Sequence, residues 1–356
     1  MRKGGYDVSV SMRAAVLQKP LSITLEERPV PTPGPNEVLI QVMAVGICGS
    51  DLHYYEHGRI GRRIVKKPLI QGHECSGIVV AVGNQVTRCK VGDRVVLEPG
   101  VTCGKCEWCK KGRYNLCPHV RFLSTPPVDG ALAQYITHPE DFVFQIPDEL
   151  SFEKATLVEP LSVGLHAAKR IGLEPGSSLW VIGMGPVGLT AVIAAKAFGV
   201  KEIIVSDLEP FRLHIARQIG ATSTINITQS NPVQETMSLT DGIGVDAVID
   251  TTSNERALDS AVQALKRGGK LALIGFPTTK TVPMNLTLIL QKEIDISSIY
   301  RYSHTFQQGI EILARPDVPA DLLITDRFTL ERVVDAFEKA RTDKKGTIKV
   351  IVNPNR

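Results

Sequence analysis

Residues 178–207 constrain the fold of this 356-residue chain more than any other stretch. The apolar run LWVI ends at Gly183-Met184-Gly185-Pro186-Val187-Gly188. An Ala-rich helical pattern follows, and a second apolar run, EIIVSD, closes on Asp207. Leu179 to Val200 approaches the length of a bilayer-spanning helix, but Gly183, Gly185, Pro186 and Gly188 all fall in its first half. A strand, a glycine turn and a helix explain those residues, and a membrane helix does not. In such a unit the first glycine permits the tight turn, the second lets a pyrophosphate approach the backbone, and the third allows close helix packing. The helix N-terminus then stabilises the phosphate charge. Asp207 lies nineteen residues after the last glycine, where it would accept hydrogen bonds from ribose hydroxyls and repel a 2′-phosphate. The pattern therefore predicts a dinucleotide site that favours NAD over NADP, with Arg212 stacking on the adenine or contacting the ribose edge.

Beyond Asp207 the alternation continues through a helix to Gln218, the strand VDAVIDTT, another helix and the strand KLALIGF. Strands alternating with helices imply an α/β parallel sheet. Before about residue 150 the texture differs, with short Val/Ile-rich runs (EVLIQVMAVG, SGIVVAVGNQV, GDRVVLEPG) broken by Gly, Pro and Asp. That pattern reads as all-β. After Ile299 come two helical segments, Phe306 to Ala314 and Leu330 to Arg341, and a last strand, IKVIVNP. At roughly 100–200 residues per domain the length suits two domains. The net charge is +4, from 41 Lys and Arg against 37 Asp and Glu, and the signs alternate along the chain. Nucleic acid and anionic membrane are thus excluded as main partners. The N-terminus starts basic but has no continuous apolar segment and no small-residue cleavage site, which predicts an unprocessed cytoplasmic protein.

Seven cysteines do not suit a disulfide framework, and four of them, Cys103, Cys106, Cys109 and Cys117, form C-x2-C-x2-C-x7-C. Four thiolates in so short a loop can surround one zinc tetrahedrally, and a closed shell leaves no position for chemistry. This zinc would be structural, its charge partly offset by Lys105, Lys110, Lys111 and Arg113. Local disulfides and free thiols are the alternatives, and the spacing departs from iron–sulfur ferredoxin runs.

Three further candidates are Cys48 in VGICGSDLH, His73 in GHECSG and Glu159 in VEPLSVGLH. Each sits beside glycine or proline at the end of an apolar run, where side chains project from a rigid scaffold. Singly they are ordinary, since a cysteine in an apolar strand packs in a core and a histidine is commonly a hydrogen-bonded structural residue. Their contexts, however, resemble the zinc-containing medium-chain dehydrogenase/reductase family. Its signature G-H-E-x2-G-x5-G-x2-V is matched by Gly72, His73, Glu74, Gly77, Gly83 and Val86, and C-G-S-D-x-H by Cys48 to His53.

The resemblance implies a mainly β GroES-like catalytic domain over 1–161 with both zinc sites and a Rossmann doubly wound parallel sheet over 162–297. A C-terminal segment, 298–356, would return to the catalytic domain. It implies two zinc ions and NAD, with the catalytic zinc held by Cys48 and His73 and the remaining protein ligand drawn from Glu74 or Glu159. Alcohol dehydrogenases of the family carry a second cysteine where Glu159 stands. Such a metal acts as Lewis acid in reversible alcohol oxidation, and Ser50 with His53 would relay the released proton. Ile274, Gly275, Phe276, Ile299, Tyr300 and Arg301 would complete the cofactor site.

HYYEHGRIGRRIVKKPLIQGHE, KKGRYNLCPHVRFLSTPPVDGALAQY and IYRYSHTF look like the polyol branch of the family. By position, Tyr54, Phe122, Thr125, Glu159, Arg301 and Tyr302 would line the pocket for a sugar alcohol such as sorbitol, xylitol or L-iditol, and the branch suggests a homotetramer. Threonine and butanediol dehydrogenases are the rivals within the family. A zinc-free quinone reductase is contradicted by Cys48, His73 and the four-cysteine loop. A non-catalytic NAD-binding regulator would be expected to have lost Ser50, His53 or a zinc ligand, and none is missing.

Overall fold

The computed structural model describes residues 2–3, 6–7, 10–277, 279 and 281–356. They form two compact units, Met1–Glu159 with Ile324–Arg356, and Pro160–Leu323.

The first unit is built around the strand Glu37–Gly46, whose Val, Leu, Ile and Ala side chains are nearly all buried. Burying each large aliphatic side chain stabilises by about 1.5–3 kcal/mol, so a strand covered on both faces belongs at the centre of a sheet. One of its edges pairs antiparallel with Glu74–Val82. The other pairs with Tyr135–Pro139 at its start and with Lys349–Asn353 at its end. This register sets Gly46 opposite both Glu74 and Ile351, so three distant segments converge where the central strand ends. The chain then turns into the helix Gly49–His57. The β pattern does not reveal this helix because it has no continuous apolar stripe; it buries Asp51, Tyr54 and Tyr55, an i, i+3, i+4 set on one face.

The second unit holds a six-stranded sheet with every pairing parallel. Its order is Ser223–Asn226, Glu202–Asp207, Ser178–Ile182, Val245–Asp250, Leu265–Leu273 and Asp295–Ser298. In sequence terms this is the order 3-2-1-4-5-6, which reverses between Ser178–Ile182 and Val245–Asp250, the crevice where such sheets receive ligands. Residues 298–323 group with this unit and not with the first, a difference from the division expected at 297/298. Ile299 N–H donates to Leu273 O at 2.9 Å, and the helix Phe306–Ala314 buries Phe306, Ile310, Ile312 and Leu313. Only Ile324–Arg356 returns. Among the described residues, no helix is long and apolar enough to cross a membrane.

Candidate metal centres and nucleotide turn

Cys48 N-caps the helix Gly49–His57, and His73 immediately precedes the strand Glu74–Val82. The ligand atoms of Cys48, His73 and Glu74 all lie within 4.8 Å of one another. Pairing with Gly46 places the Glu74 carboxylate over that glycine, where a Cβ would stand 2.1 Å from Oε2. Any side chain at 46 would displace the carboxylate.

Asp51, 1% exposed, holds this corner together. Its carboxylate accepts from Cys48 N–H at 3.1 Å, Gly72 N–H at 3.2 Å and Ser124 Oγ–H at 2.7 Å. Oδ1 also lies 3.5 Å from His73 Nδ1. Burial opposes a charge on His73, but Asp51 outweighs it and raises the imidazole well above its ordinary value. Burial likewise opposes the Asp51 carboxylate, and the His73 charge with the hydrogen bonds lowers it overall. With Nδ1 turned to Asp51, Nε2 is the nitrogen available to a metal, the orienting arrangement common to metal-bound histidines. The Phe122 ring packs at 5.6 Å from that of His73.

Beneath the cluster lies Lys349, 1% exposed. Its Nζ donates to both Glu74 oxygens, at 2.7 and 2.6 Å, and to Ile47 O at 3.2 Å. Burial would lower the ammonium pKa; Glu74, Cys48 and Glu159 raise it, so the lysine is charged. Glu159 is 6% exposed and stands outside the group formed by Cys48, His73 and Glu74. Glu98, 3% exposed, is pushed up to about 7, chiefly by burial, with Glu159 adding to the rise and Tyr114 opposing it.

The second cluster joins Cys103, Cys106, Cys109 and Cys117, again within 4.8 Å. Sγ atoms of Cys106 and Cys109 are 3.5 Å apart, and those of Cys103 and Cys117 3.6 Å. Zn–S bonds of about 2.3 Å in a tetrahedron put sulfurs about 3.7 Å apart, so the donors fit zinc, and all four thiols are unpaired in disulfide terms. Backbone N–H groups of Lys105 and Cys106 draw the Cys103 thiol down to about 6, which prepares a thiolate.

In the second unit the turn Gly183–Gly188 opens the helix Pro186–Ala197. A Cβ at Gly188 would stand 1.8 Å from Gly183 O, so only glycine fits there, whereas one at Gly185 would meet nothing within 4 Å. That open approach fits a pyrophosphate at the helix N-terminus. Asp207 Oδ2 accepts from Met184 N–H at 2.6 Å and Oδ1 from Glu209 N–H at 2.9 Å. The carboxylate thus ties its strand to the glycine turn and keeps lone pairs for further donors. Pro186 and Val187 form the first residues of the helix, and Arg212 is half-buried in the helix Pro210–Ile219. Ile274 N–H donates to Asp250 O at 2.9 Å, and Gly275 O accepts from Ser253 Oγ–H at 2.5 Å. Ile299 is buried, Phe276 is 73% exposed and packs edge-on to Tyr300, and Arg301 lies 4.7 Å over the Tyr300 ring. Arg301 has φ +56°, a left-handed backbone unusual for a non-glycine residue.

Of the pocket residues named from sequence, Tyr54, Phe122, Thr125 and Glu159 belong to the first unit, and Arg301 and Tyr302 to the second. Tyr54 is buried and hydrogen-bonds Thr125, and Tyr302 is buried against Phe306. Ser50 is half-buried on the first turn of its helix, and His53 is exposed. Sequence reasoning missed Asp51 and Lys349. Asp51 sits inside the C-G-S-D-x-H segment, and a lone lysine in the apolar run IKVIV was the one signal for the other.

Comparison with known proteins agrees with this geometry. Residues 34–148 match the family model for the alcohol dehydrogenase GroES-like domain, and residues 186–315 that for zinc-binding dehydrogenases. A sorbitol dehydrogenase of Bacillus subtilis (strain 168) is 54% identical over 351 residues, 99% of each chain. An Escherichia coli oxidoreductase/dehydrogenase of unknown specificity superposes with a TM-score of 0.92 at 36% identity, covering 96% of this chain and 99% of its own. An alcohol dehydrogenase from Escherichia coli CFT073, solved with NADH, gives 0.90 at 30% identity over 97% and 100%. With both zinc-compatible donor sets and the dinucleotide turn in place, the chain belongs to the GroES-like, zinc-binding alcohol dehydrogenase family, whose cofactors are zinc and NAD.

Proposed function

We propose that this enzyme is a polyol dehydrogenase that oxidises a secondary hydroxyl of a sugar alcohol to a ketone, with sorbitol, xylitol and L-iditol as its neutral substrates. The observation that carries this reading is the polar set of buried Tyr54 and Glu159 with half-buried Thr125, in the unit that holds the Cys48–His73 cluster. A simple alcohol would call for aliphatic and aromatic walls, whereas hydroxyl-rich substrates need partners for each hydroxyl.

Bound zinc supplies Lewis acidity toward a substrate hydroxyl, and NAD takes up the two electrons. Cys48 and His73 hold the metal, and the last protein donor is Glu74 or Glu159. The clamp of Lys349 on both Glu74 oxygens favours Glu159. Asp51 keeps the His73 ring turned by its Nδ1 contact. Ser50 and exposed His53 carry the hydroxyl proton outward. Asp207 selects NAD, and the open face at Gly185 admits its pyrophosphate. Tyr54, Thr125, Arg301 and Tyr302 are the partners we assign to the remaining hydroxyls, with Phe122 as an apolar lining residue. The four-cysteine loop is a structural zinc site, and the protein is cytoplasmic in this reading. The homotetramer extends this reading; the sheet-edge strand Asp295–Ser298 and the exposed Leu286, Leu290 and Ile296 near it in sequence offer one surface for an interface between copies.

Initial rates with NAD on sorbitol, xylitol, L-iditol, 2,3-butanediol, threonine and 2-propanol test the reading. A site built to hydrogen-bond hydroxyls should prefer sorbitol over 2-propanol by up to about 10⁴-fold in kcat/KM. Equal efficiency on 2-propanol would overturn it.

A further inference from the structure

The turn that begins at the strand Arg121–Phe122 touches the metal corner at three successive places. The Phe122 ring packs at 5.6 Å from that of His73, Ser124 Oγ–H donates to Asp51 Oδ1 at 2.7 Å, and Thr125 hydrogen-bonds Tyr54. All of these residues belong to the first unit. Asp51 and Tyr54 stand one helical turn apart on the buried face of Gly49–His57. Two consecutive residues of the turn therefore reach two neighbours on one helix face. Extended backbone would send their side chains to opposite sides. Ser124 instead has φ +61°, a left-handed conformation that a residue with a Cβ seldom adopts. Backbone bonds brace it, Leu123 N–H to Pro99 O at 3.0 Å and Thr125 N–H to Phe122 O at 3.1 Å. Strain of this kind persists only where the surroundings hold it, and the bond to Asp51 is a buried, charge-assisted one.

That bond falls on the carboxylate oxygen that faces the metal ligand. Asp51 Oδ2 accepts from Cys48 N–H at 3.1 Å. Oδ1 meets Ser124 Oγ–H at 2.7 Å, Gly72 N–H at 3.2 Å and His73 Nδ1 at 3.5 Å. A carboxylate oxygen offers about two lone-pair sites, so three donors converge on an acceptor that serves two well. The hydroxyl takes the shortest contact, and His73 the longest, at the outer limit of a hydrogen bond. Ser124 and Asp51 are 2% and 1% exposed, so bulk water does not compete for that oxygen. The hydroxyl thus decides how much of the Asp51 charge reaches His73.

We propose that Ser124 is a positioning residue for the alcohol oxidation, which fixes a metal ligand and a wall of the substrate site together. Its hydroxyl, by occupying Asp51 Oδ1, keeps the His73 imidazole a moderate donor to the metal. Its left-handed backbone sets Thr125 on Tyr54. The first role rests on the metal site alone, and the second rests on the polyol reading and deepens it. Partners of a metal-bound histidine tune its basicity and with it the affinity for the ion. Ser124 acts one step further out and in the opposite sense, because it draws the aspartate away from the imidazole.

Two variants separate the hydroxyl from the backbone. Ser124→Ala removes the hydroxyl and keeps the strained conformation, whereas Ser124→Gly removes it and relieves the strain. With Oδ1 released to His73 Nδ1, chelator competition should show the exchangeable zinc held on the order of tenfold more tightly in both variants. The visible spectrum of the cobalt-substituted proteins should shift from wild type in the same way in both. A stronger imidazole donor leaves the metal a weaker Lewis acid, so kcat should fall for sorbitol and 2-propanol alike. KM should rise for sorbitol and stay unchanged for 2-propanol, which has no second hydroxyl for Thr125 to meet. Zinc affinity that is unchanged or weakened in both variants overturns the inference, and so does a return to wild-type affinity and spectrum in Ser124→Gly, which would leave Ser124 a backbone role only. An unchanged sorbitol KM overturns the role assigned through Thr125. The metal measurements need no substrate, so failure of the wild-type enzyme on sorbitol would overturn the polyol reading and leave the Asp51–His73 role to be judged by them.

Discussion

Replacing Lys349 with Met tests how the Cys48–His73–Glu74 centre balances its charge. Lys349 and Glu74 are 1% and 0% exposed, and Nζ reaches both carboxylate oxygens at 2.7 and 2.6 Å. At a charge separation of about 3 Å and an effective dielectric of about 20, their attraction is on the order of 5 kcal/mol before desolvation. Removing one partner of such a pair costs about 3–5 kcal/mol, because the other is left charged and buried. Lys349→Met should therefore destabilise the zinc-free protein by that amount in urea unfolding. In the zinc-loaded protein the released Glu74 carboxylate is free to turn to the metal, whose neighbouring donors lie within 4.8 Å of it. If it recovers about 2 kcal/mol, linkage requires zinc to bind about 30-fold more tightly than in wild type. Chelator competition measures that directly. Lys349→Met with Glu74→Gln, which removes both charges, should recover most of the lost stability. Destabilisation of the zinc-free variant by less than about 1 kcal/mol, or an unchanged zinc affinity, would refute the argument.

Two further predictions concern the nucleotide turn and a buried histidine. Asp207→Ser should narrow the preference for NAD over NADP, since it removes the repulsion of a 2′-phosphate, and should also loosen the turn by depriving Met184 N–H of its 2.6 Å acceptor; comparison of kcat/KM for the two cofactors checks the first, and wild-type use of NADP as readily as NAD would sink it. His138 is buried, bonds Glu98 O through Nε2 at 2.9 Å, and is held down to about 4, mainly by burial. A histidine lowered in the fold contributes stability above its unfolded value of about 6.5, lost as pH falls toward 4, on the order of 3 kcal/mol in all. Glu98, raised to about 7, has the opposite sign: its contribution is full below about 4.5 and is lost as pH rises through 7. The two offset each other between about pH 4.5 and 6.5, so His138→Gln should gain stability relative to wild type on acidification, and Glu98→Gln should lose it. Parallel urea midpoints for wild type and His138→Gln from pH 7.5 to 5 would contradict this.

Features carried by one short segment were legible in the sequence. The four-cysteine loop spans fifteen positions, the glycine turn and Asp207 follow each other through one βαβ unit, and Cys48 and His73 each announce themselves by their immediate neighbours. What escaped depended on pairing between distant strands. Lys349 meets Glu74 across 275 residues because Lys349–Asn353 and Glu74–Val82 flank the same strand, Glu37–Gly46. Periodicity cannot state that pairing. The grouping of residues 298–323 was hard to read for a similar reason: the two C-terminal helices look alike in pattern, yet Phe306–Ala314 groups with the parallel sheet's unit and Val333–Thr342 with the other.

The same long-range pairing explains why the first unit needs its returning segment. Cys48, Asp51, Glu74 and Glu159 bring thiol and carboxyl groups into one water-poor corner, and residues 1–159 supply His73 as their buried basic group there. An excess of buried anions is costly unless it is paired. The ammonium of Lys349 arrives only with the last strand, which is buried at every position and lies between the end of Glu37–Gly46 and the strand Ile324–Thr329. Extending the sheet beyond Glu37–Gly46 and neutralising the metal corner therefore depend on the same strand. In that corner the Glu74 carboxylate is held by a lysine and the His73 imidazole by an aspartate, so the histidine is oriented toward the metal position while Glu74 is tied back from it.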